Sequence, residues 1–171
     1  DHVSLLSHMA SWIKPERYLE LGVRDGKNFV HVSQYCKHAI GVDVNDIPFL
    51  LHGNMEFRKM TTDQYFEQLV VENDEPLFDM VFIDADHSHE QSLKDFLNVE
   101  KYVIEDGLIF FHDTYPFDPE YFHPGACNDV YKTALYIKQN LIDRFEIVTL
   151  PFNPGVTIVK KISRNKQLIY L

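Results

Sequence analysis

Two strand-like apolar segments of the sequence end in acids and histidines. Residues 78–87 read Phe-Asp-Met-Val-Phe-Ile-Asp-Ala-Asp-His, and residues 107–114 read Gly-Leu-Ile-Phe-Phe-His-Asp-Thr. Ligands of a parallel α/β sheet collect outside the carboxyl ends of its strands, so neighbouring strands would bring these polar side chains to one edge. Together they could bind a metal ion or transfer protons: Asp84, Asp86, His87, His112 and Asp113.

Strand-like and helix-like segments alternate along the chain, and their order predicts the fold. Strands are expected at 18–23, 38–44, 55–60, 77–84, 107–111, 145–150 and 156–162, and helices at 5–12, 27–36, 47–51, 63–72, 89–103 and 128–141. This alternation predicts an α/β fold with a doubly wound, seven-stranded, mostly parallel sheet. The turn at 151–155 has no room for a crossover helix, so the last strand should be the antiparallel strand of a C-terminal hairpin.

Length and composition predict one globular domain over residues 1–171. The chain has 45% hydrophobic and 25% charged residues, which suits a single core of this size. We expect an N-terminal capping helix within residues 1–14 and an active-site loop at 114–127, rich in proline and aromatic residues. Because the capping segment is short, the acceptor site would be open or completed by the second subunit of a homodimer.

The charge of the chain bears on its partners. A formal net charge of −10 disfavours nucleic acid and anionic membranes and favours a small-molecule partner. No apolar run reaches the length of a membrane span, the start of the sequence shows no signal-peptide pattern, and the two cysteines suggest no disulfide framework. We therefore expect a cytoplasmic protein. The chain begins at Asp1 rather than at methionine, so we also expect it to be trimmed from something longer.

The turn after the first strand, Glu-Leu-Gly-Val-Arg-Asp-Gly at 20–26, could hold a ligand. Gly22 and Gly26 permit a tight turn and close approach to the backbone, although both could equally be simple turn residues. The pattern lacks the third glycine of a dinucleotide-binding turn. Glu20 would suit a positively charged amino group, and Asp43, after the second strand, is placed to hold ribose hydroxyls.

These features resemble the first, second and fourth motifs of Rossmann-like S-adenosylmethionine-dependent methyltransferases, over roughly residues 15–162. More narrowly, Phe-Ile-Asp-Ala-Asp-His-Ser-His-Glu and Leu-Ile-Phe-Phe-His-Asp-Thr resemble a bacterial small-molecule group. Its relatives include metal-dependent O-methyltransferases that act on catechols, caffeoyl esters and macrolide sugars. The resemblance implies a Rossmann-like methyltransferase fold, S-adenosyl-L-methionine as cofactor, and O-methylation of a small-molecule or sugar hydroxyl.

The resemblance also implies roles for particular residues. The methionine part of the cofactor would lie along the glycine turn beside Asp84, with Asp43 on the ribose and residues 60–63 at the adenine. The implied cofactor contacts are Glu20, Gly22, Gly26, Asp43, Thr61 and Asp84.

A metal site and a base are implied in the same way. Asp84 and Asp113 would bind Mg²⁺ or another divalent cation, which takes oxygen ligands. The third ligand position falls on Thr114, where an asparagine or aspartate is usual and where a hydroxyl is a weaker ligand. His87 takes the position of the general base, and an imidazole with a pKa near ~6.5 can accept a hydroxyl proton at neutral pH.

Several alternatives stay open from the sequence. Asp86 either caps the following helix or is a ligand, and His112 is either a core residue or a catalytic one. The aromatic residues of the loop either form a wall over the acceptor or only pack the loop: Tyr115, Phe117, Tyr121 and Phe122. The rival functions are a nicotinamide-dependent oxidoreductase on a Rossmann sheet and a cofactor-binding protein without catalytic activity.

Overall fold

A computed structural model describes residues 1–163. Its strands are β1 Arg17–Leu21, β2 His38–Asp43, β3 Met55–Lys59, β4 Phe78–Ile83, β5 Val103–His112, β6 Phe145–Leu150 and β7 Val156–Lys161. Its α-helices are α1 His2–Ile13, α2 Lys27–Ser33, α3 Thr62–Glu72, α4 His89–Val99 and α5 Tyr131–Asn140. Among residues 1–163, none of the helices is both long and apolar enough to cross a bilayer.

The seven strands form one sheet in the order β3-β2-β1-β4-β5-β7-β6. Strands β1 to β5 pair in parallel, and β7 pairs antiparallel with both β5 and β6. The predicted doubly wound sheet with an antiparallel C-terminal hairpin strand is therefore confirmed. The chain builds outward from β1 to β3 and then returns to place β4 on the other side of β1. Ligands of such folds bind at this reversal of strand order.

Both faces of the sheet are covered, as the nearly continuous apolar sequence of β4 predicts. Val81 and Ile83 belong to a buried cluster that includes side chains of α3, α4 and α5. Met80 and Phe82 belong to a second cluster with α1 and α2. Because successive side chains of a strand point to opposite faces, one short strand contributes to both clusters. A ligand can therefore approach the central strands only at their ends.

The predicted helix at 47–51 is wrong, since this segment forms only bends. Five residues make little more than one helical turn, and Pro48 contributes no amide hydrogen to it. Instead, Phe49 packs towards α2, with its ring 6.3 Å from the ring of Phe29. This partly buried aromatic side chain therefore packs against the second buried cluster without forming a helix.

The helix predicted at 89–103 is too long, and the strand predicted at 107–111 is too short. Helix α4 ends at Val99, and β5 already begins at Val103, which is buried and pairs with Phe78. The register of this pairing shifts between Phe78 and Met80, and an irregularity of this kind commonly accompanies a glycine such as Gly107. The remaining helix and strand ends differ from the predictions by up to three residues.

Candidate active site

The carboxyl ends of β4 and β5 bring together four of the five side chains expected there. Ile83 pairs with Phe111 in parallel register, so Asp84 and His112 leave the sheet side by side. Asp113 follows with a left-handed backbone, φ 59°, a conformation that costs a non-glycine residue about 1–3 kcal/mol. In a regular strand, consecutive side chains point to opposite faces. The left-handed turn instead directs Asp113 to the same group as His112.

These four side chains meet through four atoms. Nε2 of His87 lies 3.5 Å from Oδ1 of Asp84 and 3.2 Å from Oδ2 of Asp113. Nδ1 of His112 lies 3.2 Å and 3.3 Å from the same two oxygens. Two nitrogens and two oxygens therefore alternate around a closed ring, which we call the Asp-His quartet. The fifth residue, Asp86, is exposed and accepts a hydrogen bond from the Ser88 amide (2.7 Å) just before α4.

Charge pairing inside the quartet changes the protonation of its members. The hydrogen bond with Asp84, partly opposed by burial, raises the pKa of His87 to about 9. Burial also opposes protonation of His112, but hydrogen bonds with Asp113 and Asp84 raise its pKa to about 10. Burial raises the pKa of Asp84, yet its hydrogen bonds with both histidines leave that pKa lowered. His87 therefore holds a proton at neutral pH, and it must lose that proton before it can accept one from another group.

The end of the 114–127 loop holds the quartet in place. Nδ1 of His87 hydrogen-bonds to the carbonyl of Ala126, and this bond leaves Nε2 directed at the two carboxylates. The thiol of Cys127 donates to Oδ1 of Asp113 at 3.5 Å. Of the four loop aromatic residues considered above, Tyr121 lines the cleft in front of the quartet.

His2 is a site residue that sequence reasoning missed. Its ring centroid lies 4.1 Å from that of His112 and 5.9 Å from that of Phe82. Burial, followed by the charge of His112, lowers the pKa of His2. No local pattern marks a histidine at the start of an amphipathic helix as a site residue. The contact arises because α1 packs across the face of β4 and β5.

Thr114 does not join the quartet. It is 4% exposed, and its hydroxyl accepts a hydrogen bond from the Thr157 hydroxyl at 2.9 Å. Thr114 instead borders a groove on the far side of the loop, beside Phe122 and α5. Three side chains of the quartet, Asp84, His87 and Asp113, offer ligand atoms that all lie within 4.8 Å of one another.

Gly22 and Gly26 shape the turn after β1 for different reasons. Gly22 has φ +88°, and a Cβ placed there would lie 2.3 Å from the carbonyl oxygen of Asp84. Gly26, with φ +77°, begins α2, and a Cβ there would lie 2.0 Å from the Phe49 ring. At position 22, only glycine therefore allows the chain after β1 to approach the chain after β4 this closely. At position 26, only glycine leaves space for the Phe49 ring.

Glu20 is a buried acid at the base of the cleft. It is 1% exposed and accepts hydrogen bonds from the hydroxyl of Tyr18 and, at 2.7 Å, from the amide of Asn28. Burial raises the pKa of Glu20 to about 8, although both hydrogen bonds oppose this rise. A buried carboxyl of this kind can pair with a cationic group of a ligand once it has lost its proton.

Asp43 also organises the glycine turn. Its Oδ2 accepts the amides of Val23 and Arg24, each at 2.9 Å, and its Oδ1 accepts the amide of Asn45 at 2.8 Å. The sequence did not predict that Asp43 would hold the glycine turn through these hydrogen bonds. The carboxylate nevertheless lies between two neighbouring clefts and borders both of them.

The two clefts join at the reversal of strand order. The smaller, of about 340 Å³, is bordered by residues 60–63, including Thr61, the N-cap of α3. The larger, of about 750 Å³, contains Glu20 and the Asp-His quartet. The residues that border both clefts are Gly22, Asp43, Asn45 and Ala85. One extended ligand could therefore reach from residues 60–63 to the quartet.

Solved structures share this architecture. An O-methyltransferase from Bacillus cereus in complex with SAH superposes with a TM-score of 0.75 and 15% identity, over 94% of this chain and 80% of that chain. TomG, an O-methyltransferase from Streptomyces achromogenes in complex with SAM, gives 0.69 and 15%, over 95% and 80%. MycE, a methyltransferase of the mycinamycin pathway in complex with Mg and SAH, gives 0.66 and 18%, over 99% and 51%. The fold is thus the Rossmann-like methyltransferase fold.

The family of the chain follows from its sequence match. A family model described as a methyltransferase domain matches residues 19–114, which is more than half of the 171 residues. The chain therefore belongs to this methyltransferase domain family, and the predicted enzyme class is confirmed. The comparison with curated proteins yields no match. The family match favours methyl transfer over the nicotinamide chemistry considered as a rival.

Proposed function

We propose that this protein transfers a methyl group from S-adenosylmethionine to a hydroxyl group of a small molecule or sugar. The observation that carries the proposal is the continuity of the two clefts across the reversal of strand order. A nucleoside-sized cleft leads there directly into a larger one that contains paired acids and histidines. The SAH and SAM in the solved structures described above agree with a cofactor of this type.

The residues present fit this cofactor along its whole length. Residues 60–63 would border the adenine, and Asp43 would face the ribose while it holds the turn. Gly22 lets the backbone of Asp84 and Ala85 pack against the turn. The methionine part would lie along this wall, and Glu20 would pair with its amino group. The location of Asp43 between the clefts supports this arrangement. When bound, the cofactor supplies an electrophilic methyl group on a sulfonium.

His87 is the residue best placed to remove the acceptor proton. Its Nδ1 is held by the Ala126 carbonyl, so Nε2 is the atom that would receive the proton of the attacking hydroxyl. Because the pKa of His87 is about 9, Nε2 must first lose its own proton, and methyl transfer should be faster at alkaline pH. Asp84 and Asp113 would then stabilise the imidazolium that forms, through the contacts of 3.5 Å and 3.2 Å. The same two carboxylates fit a divalent cation such as Mg²⁺, which would lower the pKa of a coordinated hydroxyl.

Ligand binding tests the proposed cofactor. SAH at about 100 times its Kd should stabilise the folded state by about 2.7 kcal/mol, which raises the Tm by roughly 5–10 °C for a chain of this size. NAD⁺ at the same concentration should leave the Tm unchanged. Stabilisation by NAD⁺ with no response to SAH would contradict the proposal. Transfer of labelled methyl from S-adenosylmethionine to a panel of catechols and hydroxylated sugars then separates an enzyme from a non-catalytic binding protein.

The raised pKa of Glu20 predicts pH-dependent cofactor binding. With a pKa of about 8 in the free protein, Glu20 must lose a proton before it pairs with the amino group of SAH. Affinity should therefore rise with pH, by up to tenfold per unit between about pH 6 and pH 7.5, and level off near pH 8. Calorimetric titration with SAH across this range measures the slope. Glu20→Gln should bind more weakly near pH 8 and show no slope, and a flat profile for the unaltered protein would exclude this role of Glu20.

A further inference from the structure

We infer that His112 is a metal ligand together with Asp84 and Asp113, and that this nitrogen donor makes the site selective for first-row transition ions over Mg²⁺. The inference concerns the same site as the proposed methyl transfer. Metal binding itself does not depend on that proposal, but a role of the bound metal in methyl transfer does. It differs from the pattern implied by family resemblance, which places the third ligand at Thr114.

The spacing of the donor atoms suits a metal ion. Nδ1 of His112 lies 3.2 Å from Oδ1 of Asp84 and 3.3 Å from Oδ2 of Asp113. Ligand atoms about 2.1 Å from a common ion lie ~3.0 Å apart at right angles and ~3.4 Å apart in a tetrahedron. The observed separations fall between these two values. These two nitrogen-to-oxygen separations are thus nearly those that coordination requires.

The surroundings of the donors support this assignment. The Cys127 thiol donates to Oδ1 of Asp113, so Oδ2 is the oxygen that faces both His87 and His112. Nε2 of His112 is buried and has no hydrogen-bond partner among the described residues, while the ring of His2 lies directly beside it. Nδ1 is therefore the ring nitrogen of His112 that faces the two carboxylates.

Thr114 is not placed to coordinate an ion together with Asp84 and Asp113. Its hydroxyl lies among buried residues, accepts a hydrogen bond from Thr157, and borders the groove beside α5 rather than the cleft of the quartet. The backbone reason is the left-handed Asp113, which turns His112 and Asp113 towards the same group. The chain then leaves this edge of the sheet, and Thr114 is carried away from it.

The donor set decides which ions bind well. Mg²⁺ prefers an all-oxygen octahedral shell and gives up its waters reluctantly. Imidazole nitrogen favours Fe²⁺, Co²⁺, Ni²⁺ and Zn²⁺, and affinity for a mixed nitrogen and oxygen site rises from Mn²⁺ towards Cu²⁺. One imidazole with two carboxylates should therefore bind Co²⁺ at least about tenfold more tightly than Mg²⁺.

Metal binding to the full chain, without cofactor or acceptor, tests this inference. After removal of bound metal with a chelator, Co²⁺ and Mg²⁺ are titrated calorimetrically, and the visible absorption of Co²⁺ reports nitrogen coordination. The unaltered protein should bind one Co²⁺ with a Co²⁺/Mg²⁺ affinity ratio of at least about ten. His112→Asp should lower this ratio at least about tenfold. Thr114→Val should keep it, as should His52→Asp, an exposed control.

Two outcomes would overturn the inference: an unchanged ratio in His112→Asp, or loss of Co²⁺ binding in Thr114→Val alone. If His112→Asp does not fold, anomalous diffraction from Co²⁺-soaked crystals of the unaltered protein decides. A peak within bonding distance of His112 Nδ1 supports the inference, and a peak at Thr114, or none, contradicts it. SAH binding is measured separately, so failure here and failure of the proposed function are distinguishable.

Discussion

Replacing His87 with alanine should lower the rate of methyl transfer by about 10²- to 10⁴-fold, the usual contribution of a general base. The hydroxyl of the acceptor must lose its proton as it attacks, and His87 Nε2 is the nitrogen that the Ala126 hydrogen bond holds towards the cleft. The carboxylates of Asp84 and Asp113 remain in the variant, so the metal ligands are retained. The rate constant kcat should therefore fall far more than cofactor affinity.

The measurement compares kcat and the Kd of SAH for the same variant. His87→Ala should keep the Kd within a few-fold of the unaltered value, because Glu20, Gly22 and Asp43 provide the cofactor contacts. His52→Ala, which removes an exposed histidine, serves as the matched control and should leave both quantities unchanged. If His87→Ala methylated every acceptor of the unaltered protein at a similar kcat, another group would have to be the base.

Replacing Gly22 with alanine should strongly reduce both stability and cofactor binding. The new Cβ would lie 2.3 Å from the carbonyl oxygen of Asp84 and 2.7 Å from the Cα of Ala85, with φ at +88°. The left-handed backbone costs about 1–3 kcal/mol, and displacement of packed backbone atoms costs about 1–3 kcal/mol more. The sum is about 2–6 kcal/mol, so for a chain of this size the Tm should fall by roughly 4–24 °C.

Cofactor affinity should fall as well, because the displaced backbone of Ala85 borders both clefts. Gly53→Ala is the matched control: among the described residues, nothing lies within 4 Å of a Cβ built there. That variant should change the free energy of unfolding by no more than about 0.5 kcal/mol. Thermal unfolding with and without SAH measures both effects. Equal Tm values for the two variants would show that the close approach of β1 and β4 is not required.

Most of the fold could be predicted because it depends on short-range patterns. The nearly continuous apolar sequence of β4 and the alternation of strands with helices follow from local periodicity, and the short turn at 151–155 forces an antiparallel strand. Element boundaries were less predictable. Segment 47–51 has an apolar composition compatible with a short helix, but in the structure it bends and Phe49 packs towards Phe29. Val103 joins β5 because it can pair with Phe78 across the sheet.

The site residues also divide into those that local sequence patterns could predict and those that they could not. Asp84 and Asp113 could be identified because an acid directly after a parallel strand must lie at the ligand-binding edge. His87 was named as the base through the family resemblance, which places the general base three residues after the first acid. A ligand role for Thr114 was implied by the family resemblance alone, which places the third ligand directly after the second acid. The left-handed backbone of Asp113 changes which neighbour faces the site, and it becomes visible only in three dimensions.

By itself, the sequence determined the class of fold, the edge of the sheet that binds ligands and the acids at that edge, since these depend on periodicity and on strand direction. Only the tertiary structure decided that His112 completes a ring with Asp84, His87 and Asp113. It also decided that His2 from α1 lies against this ring. The physical reason is that the orientation of a side chain depends on backbone dihedral angles and on packing between elements distant in sequence.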